Sequence, residues 1–441
     1  MKKRILSICA LVLSYIAIGQ TVHPDYLDGA IWVNLKSTAL NYPSASLNGS
    51  VRDGAFVLPS ELPFKELISG HKIKALNKPF YYIRDEKLKN ILRIEIEDIY
   101  AVDDLITALS RHPQVVYAER IPLLKKTITP NDPSYNSSTQ WNLFQVNATT
   151  AWDVSLGNAD VKVAIVDDAV EITHPDLSPV IWTNTGEIPG NGIDDDNNGY
   201  VDDVNGFDVA NNDNNPNPDA PVSSYDHGTH VAGISGAATN NGVGVASIGH
   251  NLTLLPVKST NSASFVTHGY EGVLYSVAAG ADVINMSWGG GGSSTTGQNI
   301  ITYASNQGIV LVAAAGNDNV SSVFYPAGYP EVIAVASTTF GDSKSSFSNY
   351  GAWIDVSAPG SAIYSTVPGG GYQIKQGTSM ASPMVAGLAG LMLSLNPSLS
   401  PEDVKTCILS TADDIESANP SYVGELGAGR INAFQAMNCV S

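Results

Sequence analysis

At 441 residues the chain exceeds one ordinary domain of roughly 150 residues, so two folded units are expected. It is 43% hydrophobic and 15% charged, a composition that supports a large buried core and excludes a mainly disordered chain. A net charge of -19 sets the whole-protein field against phosphate backbones and anionic lipid, which excludes nucleic acid as an expected partner.

The chain opens with Lys2-Lys3-Arg4, an apolar run from Ile5 to Ile18, and Ala17-Ile18-Gly19 before Gln20. A basic start, an apolar centre and a small-x-small exit describe a cleavable export signal over residues 1 to 19. The run is short for a bilayer span of about 20 residues, and no later segment reads as apolar enough to cross a membrane. Cys9 lies inside the signal. Cys407 and Cys439 remain, either as a disulfide suited to an exported chain or as two separately buried thiols.

Residues 20 to about 129 read as a small α+β unit. Phe80 to Arg84 and Ile91 to Ile96 are expected strands, Asp103 to Leu109 a short helix, and Val115 to Ala118 a further strand. The unit ends in the basic linker Leu123-Leu124-Lys125-Lys126-Thr127, where a protease could cut. The charge divides at this point: residues 1 to 129 carry 17 Lys+Arg and 13 Asp+Glu, residues 130 to 441 carry 6 and 29.

Beyond residue 130, near-continuous apolar runs alternate with Gly-rich turns. Val161–Val166, Leu252–Val257, Val283–Met286, Ile309–Ala314 and Val332–Ala336 suit parallel strands covered on both faces. Helices are expected near 228–238, 266–279, 296–307, 380–395 and 401–412, the last opened by Ser400-Pro401. The pattern predicts a doubly wound, mainly parallel α/β sheet, with reactive groups at the carboxyl ends of its strands.

Three segments fall at such positions: AIVDDAVEITHPDL at 164–177, HGTHVAGI at 227–234 and GTSMASPMVAGL at 377–388. Singly each has an ordinary structural reading, since acids end strands, helical His packs in cores, and Ser caps helices. Together they resemble the subtilisin-like serine peptidases, in the chain order Asp, His, Ser. Further matches are VINMSWGG at 283–290, AAAGN at 313–317, YPAGYPEVIAVAS at 325–337, FSNYG at 347–351 and VSAPG at 356–360. The resemblance spans residues 129 to 441 and implies a peptidase domain.

It implies roles that the chemistry of acyl transfer requires. A serine hydroxyl is a poor nucleophile, so Ser379 needs His227 to take its proton, while Asp167 fixes the ring and stabilises its charged form. The oxyanion would meet the Ser379 N–H and the Asn317 amide. Asp168 competes with Asp167, but successive residues at a strand end point to opposite sides. His230 and His174 are expected to be structural. The resemblance also implies that Ser287-Trp288-Gly289 pairs with substrate as an added strand and that the stretch ending at Gly316 walls the specificity pocket. Two departures stand out: Trp288 replaces a common Leu, which would narrow a neighbouring subsite, and Ala169 replaces a usual Gly.

GIDDDNNGYVDD at 192–203 offers oxygen ligands at Asp194, Asp196 and Asn198, then the Tyr200 carbonyl, as in the first half of a calcium loop. Position 12 is Asn205, so closure falls to Asp202, Asp203 or Glu187; the alternative is a solvated acidic turn. The shorter ATNNGVGVASIG stretch at 238–249 is not expected to hold a second ion.

By resemblance residues 20–128 are a prosegment, with VVYAERIP like its end; the alternative is a permanent binding domain. The expectation is an exported, calcium-stabilised, monomeric serine endopeptidase made as a zymogen, acting on proteins or peptides outside the cell or in a periplasm. A catalytically silent scaffold that binds proteins is the other class, and a calcium-dependent adhesin a more distant one.

Overall fold

The computed structural model describes residues 26–36, 50–52, 55–59, 62–85, 87–123, 129–220 and 222–441. The expected signal and residues 124–128 of the linker lie outside them. The chain divides into two units, Met1–Lys125 and Lys126–Ser441.

The first unit holds strands β1 (Tyr26–Leu35), β2 (Ser50–Arg52), β3 (Ala55–Val57), β4 (Ile73–Asn77), β5 (Ile91–Ile96) and β6 (Val115–Pro122), with helices α1 (Lys65–Ile68) and α2 (Val102–Ser110). Its main sheet is antiparallel, in the order β4-β5-β1-β6. Ile31, Val33, Ile94 and Ile96 meet Val102, Leu105 and Leu109 of α2 in the core. Phe80 to Arg84 is not a strand. It follows Pro79 in a turn closed by Ile83 N–H on the Phe80 carbonyl, and Tyr81 and Tyr82 are exposed, so the run lacks the alternating burial that a strand needs.

In the second unit, short helices α3 (Trp141–Gln145) and α4 (Ala148–Trp152) lead into β7 (Lys162–Asp167) and β8 (Phe207–Asp208). Then come α5 (His227–Gly236), β9 (Thr253–Lys258), α6 (Gly269–Ala278), β10 (Val283–Met286), α7 (Thr295–Asn306), β11 (Val310–Ala314), β12 (Val332–Thr338) and β13 (Val356–Pro359). The hairpin β14 (Ile363–Val367) and β15 (Gly371–Lys375) precedes α8 (Thr378–Leu395), α9 (Pro401–Ser410) and α10 (Ala433–Val440). Seven strands form a parallel sheet in the order β13-β12-β11-β10-β7-β9-β8.

The apolar runs are continuous because both faces of this sheet are covered. Val163, Ile165, Val310 and Val312 pack with α5 and α8 on one face. Ala164, Val166, Leu311 and Ala313 pack with α6 and α7 on the other. α8 lies close to the sheet and to α5 through small residues: a Cβ on Gly387 would stand 2.5 Å from Ile248 Cγ2 and 2.6 Å from the Ser235 carbonyl. This helix is long and apolar enough by composition to cross a membrane, contrary to expectation, but 83% of it is buried, as a core helix is. α9 opens with a capping box between Ser400 and Asp403. Cys407 and Cys439 are joined, Cα to Cα 5.9 Å, which ties α9 to α10.

Candidate active site

Parallel pairing carries the ends of β7 and β10 to one edge of the sheet. Asp167 ends β7, with its side chain 2% exposed, and Oδ1 lies 2.7 Å from Nδ1 of His227, the first residue of α5. The same oxygen accepts the Asp168 N–H. With Nδ1–H given to Asp167, Nε2 is the basic nitrogen of a neutral His227 ring, which is 35% exposed. Burial disfavours the imidazolium and is the largest single influence on it. The charge and hydrogen bond of Asp167 together outweigh that, so the His227 pKa is held above its ordinary 6.5.

Asp168 also serves His227, through its backbone and not its ring. Its carboxylate accepts the N–H of His227 at 3.1 Å and that of Gly228 at 2.7 Å, capping α5, whose own N-cap residue Asp226 makes no such bond. Burial, and then the neighbouring Asp167 charge, raise its pKa. Position 228 requires glycine, because a Cβ there would stand 2.4 Å from the Ala169 carbonyl and 2.8 Å from Asp167 Cβ. Ala169 has a negative φ, so the turn does not require glycine there. His230 and His174 are structural in this arrangement. Nε2 of His230 sits on the carbonyls of Gln373 and Ile363, with its pKa pushed down to about 4 by burial, and His174 braces Gly371 and Asp176.

Ser379 lies in the first turn of α8, 9% exposed, and lines the same cleft as Asp167 and His227. Its hydroxyl donates to the Ser287 carbonyl at 3.1 Å rather than to His227, and the Ser287 hydroxyl donates to the Ser379 carbonyl at 2.9 Å. Rotation about χ1 would turn this hydroxyl away from the Ser287 carbonyl. Asn317 follows β11. Its Oδ1 accepts the N–H and hydroxyl of Thr378, which leaves Nδ2 to face the cleft as a donor. A Cβ on Gly377 would stand 3.5 Å from both Asn317 Nδ2 and the Ser379 nitrogen, so the absent side chain leaves the space between two N–H donors open.

The cleft encloses about 660 Å³. Trp288 is held in its wall by donation to the Val166 carbonyl at 2.8 Å and by edge-on contact with Tyr270. Gly269 makes room for it, since a Cβ there would lie 2.5 Å from the indole. Gly289 is pressed against Phe324, and Gly290 bridges Tyr325, so one edge of 287–290 is already paired. Gly316 lines the cleft with φ +97°, a backbone that favours glycine. The ionisable side chains in the lining, the two tyrosines apart, are Asp167, Asp168, His227 and Asp318.

Residues 158–429 match the subtilase family. This chain belongs to that family. It is similar to a thermophilic serine proteinase of Bacillus sp. strain AK1, with 33% identity over 97% of this chain and 98% of the relative. Thermitase of Thermoactinomyces vulgaris shares 40% identity over 70% of this chain and 99% of its own length. Among solved structures, a protease of Pseudoalteromonas arctica aligns with a TM-score of 0.58 and 30% identity, covering 71% of this chain and all of that one. This subtilase is a serine endopeptidase.

In the acidic loop of this subtilase the residues named from spacing form one hydrogen-bonded cluster, in which Asn184 and Asn198 link Asp196 to Asp203. Asp194 and Asp196 come together with Glu187, their ligand atoms all within 4.8 Å of one another. Asn198 lies beside them, its N–H donating to Asp194 Oδ1 at 3.1 Å and to Asp196 Oδ1 at 3.0 Å. The Asn198 amide donates to Asp203 and Asp196, and buried Asp203 is engaged by Asn184 and the Tyr275 hydroxyl. The Tyr200 ring packs on Phe207 and Tyr275. Glu187 also accepts the N–H groups of Asp195, Asp196 and Asp202, so it organises the loop it faces. Three hard carboxylate donors of this kind fit calcium.

Sequence reasoning did not find the cap made by Asp168, or the buried chain in which Ser382 donates to Asn285 and Asn285 donates to Ser287. The alternation at the β7 end and the i+3 spacing of Ser379 and Ser382 were the available signals.

Proposed function

We propose that this serine endopeptidase cleaves peptide bonds through Asp167, His227 and Ser379, and that it is exported as a zymogen stabilised by calcium. The observation that carries the reading is the Asp167–His227 contact at 2.7 Å in the cleft that also holds Ser379. Ser379 Oγ gives its proton to His227 Nε2 and attacks the carbonyl carbon of a substrate strand laid along 287–289. The oxyanion of the tetrahedral intermediate accepts from Asn317 Nδ2 and the Ser379 N–H, a first-turn donor that the helix leaves unpaired. His227 returns the proton to the leaving amine, and water repeats the sequence on the acyl-enzyme.

Glu187, Asp194 and Asp196 would hold the calcium ion, which when bound neutralises three converging carboxylates and ties together the loop they span. The basic start and apolar run of residues 1–19 support export. Residues 20–128 have the place and the strand-helix-strand texture of a prosegment, and the peptidase would begin near residue 129.

Single Ala substitutions at Asp167, His227 and Ser379 test the mechanism, and amino-terminal sequencing of secreted protein tests the processing. Loss of activity in all three and a start near residue 129 are expected. Full activity in Ser379→Ala contradicts the mechanism, and a start before about residue 115 contradicts removal of the prosegment.

A further inference from the structure

Asn317 is the apex of a loop, and among the described residues its side chain is anchored by Thr378. The loop's backbone is held by Thr378, whose hydroxyl accepts the Gly316 N–H at 3.0 Å, by Val335, whose carbonyl accepts the Ala315 N–H, and above all by the segment 347–350. Asn349, fully buried, accepts the N–H of Asp318 at 3.0 Å and that of Val320 at 3.2 Å on its one side-chain oxygen. Its amide donates to the Ala315 carbonyl at 2.8 Å, and its backbone N–H donates to the Gly316 carbonyl at 3.0 Å. One side chain therefore hydrogen-bonds the chain both before and after Asn317, at Ala315, Asp318 and Val320.

The surroundings reinforce the fit. Asn319 N–H meets the Phe347 carbonyl, Tyr350 N–H meets the Val320 carbonyl, and the Lys344 ammonium joins Asn319 Oδ1 to the Ser348 carbonyl. Gly316 passes so close that a Cβ would lie 2.4 Å from Asn349 Nδ2. A carboxamide meets this demand because it offers an acceptor and a donor on one rigid plane.

We propose that Asn349 is a positioning residue for the oxyanion site: it sets the height and direction at which Asn317 Nδ2 faces the reacting carbonyl. A preorganised donor acts on charge that develops only in the transition state, so misplacing it lowers kcat and leaves ground-state binding alone. The inference rests on the oxyanion role of Asn317 proposed above.

The test is a double-mutant cycle in the full chain, expressed with its amino-terminal unit, with rates normalised to sites titrated by a fluorophosphonate. Asn349→Ala and Asn349→Asp are each made alone and with Asn317→Ala. Both single Asn349 variants are expected to lose about 10- to 100-fold in kcat, with KM within about 3-fold, and the pH profile set by His227 stays in place. In the Asn317→Ala background the same changes cost less than about 3-fold, because the donor they misplace is gone. An undiminished kcat in folded Asn349→Ala overturns the proposal, and so does an equal loss in both backgrounds, which marks a general structural role. If Asn349→Ala does not fold, Asn349→Asp decides by the same criteria, and failure of both to fold counts against the proposal. If Asn317→Ala alone leaves kcat unchanged, the oxyanion reading itself fails, whatever Asn349 does.

Discussion

Pro383 stands four residues after Ser379 in α8, where the helix would place the N–H that meets the Ser379 carbonyl. Proline has none, so that carbonyl is free, and the Ser287 hydroxyl donates to it at 2.9 Å. The peptide unit of Ser379, the proposed nucleophile, is thereby fastened to the 287–290 segment that lines the same cleft. Ser287 is itself fixed by Asn285, and Asn285 by Ser382.

Ser287→Ala is therefore predicted to do more than remove a small side chain. It leaves the Ser379 carbonyl and the Asn285 amide without partners in a buried place, at a cost of about 1–3 kcal/mol. Denaturant unfolding measures the loss of stability, and steady-state kinetics shows a lowered kcat. Unchanged stability contradicts the role given to this hydroxyl.

The acid limb of activity is predicted to lie above pH 6.5. Asp167 raises the pKa of His227, and only the neutral ring can take the proton of Ser379, so kcat/KM rises as pH increases through that raised value. The stabilisation from the same pairing has the opposite course. It is fully present below the unfolded value of about 6.5 and is lost as pH rises through the folded value. A pH–rate profile with its acid midpoint at or below 6.5 contradicts the account.

The Cys407–Cys439 bond closes a loop of 32 residues. Its removal in the double Ser variant is predicted to cost about 3–4 kcal/mol, in the loop-entropy description, and to free α10 from α9. Differential scanning calorimetry checks the loss. Two free thiols in denatured, unreduced protein would contradict the bond.

Chelation is predicted to lower the melting temperature, and Glu187→Gln or Asp194→Asn to abolish that response while lowering the starting value. Glu187 is the more informative change, since it also takes three backbone N–H groups of the loop. A melting temperature indifferent to chelator contradicts a structural calcium ion at this loop.

Much of the fold is legible in the sequence because the parallel sheet is covered on both faces. Val163 and Ala164 face opposite cores, so β7 reads as a continuous apolar run from Val163 to Val166, and β11 and the first five residues of β12 do the same, while β10 is interrupted only by Asn285. Where one face meets water the signal weakens. β1, which pairs with both β5 and β6, was not evident because Asp28 and Asn34 interrupt its pattern. The site divides along another line. Asp167, His227 and Ser379 lie in long motifs, whereas the spacing leaves Asp202, Asp203 and Glu187 as equal candidates to close the acidic loop, and the fold brings Glu187 to Asp194 and Asp196. Asn349 lay within a quoted motif, but its partners are 29 to 34 residues away, and only the fold reveals them.

The most direct measurement is fluorophosphonate labelling of the purified protein, with the adduct located by mass spectrometry, in wild type and Ser379→Ala. The account predicts a single adduct on Ser379, and in the variant neither labelling nor peptide cleavage. An adduct on another residue, or cleavage that survives Ser379→Ala, would contradict it.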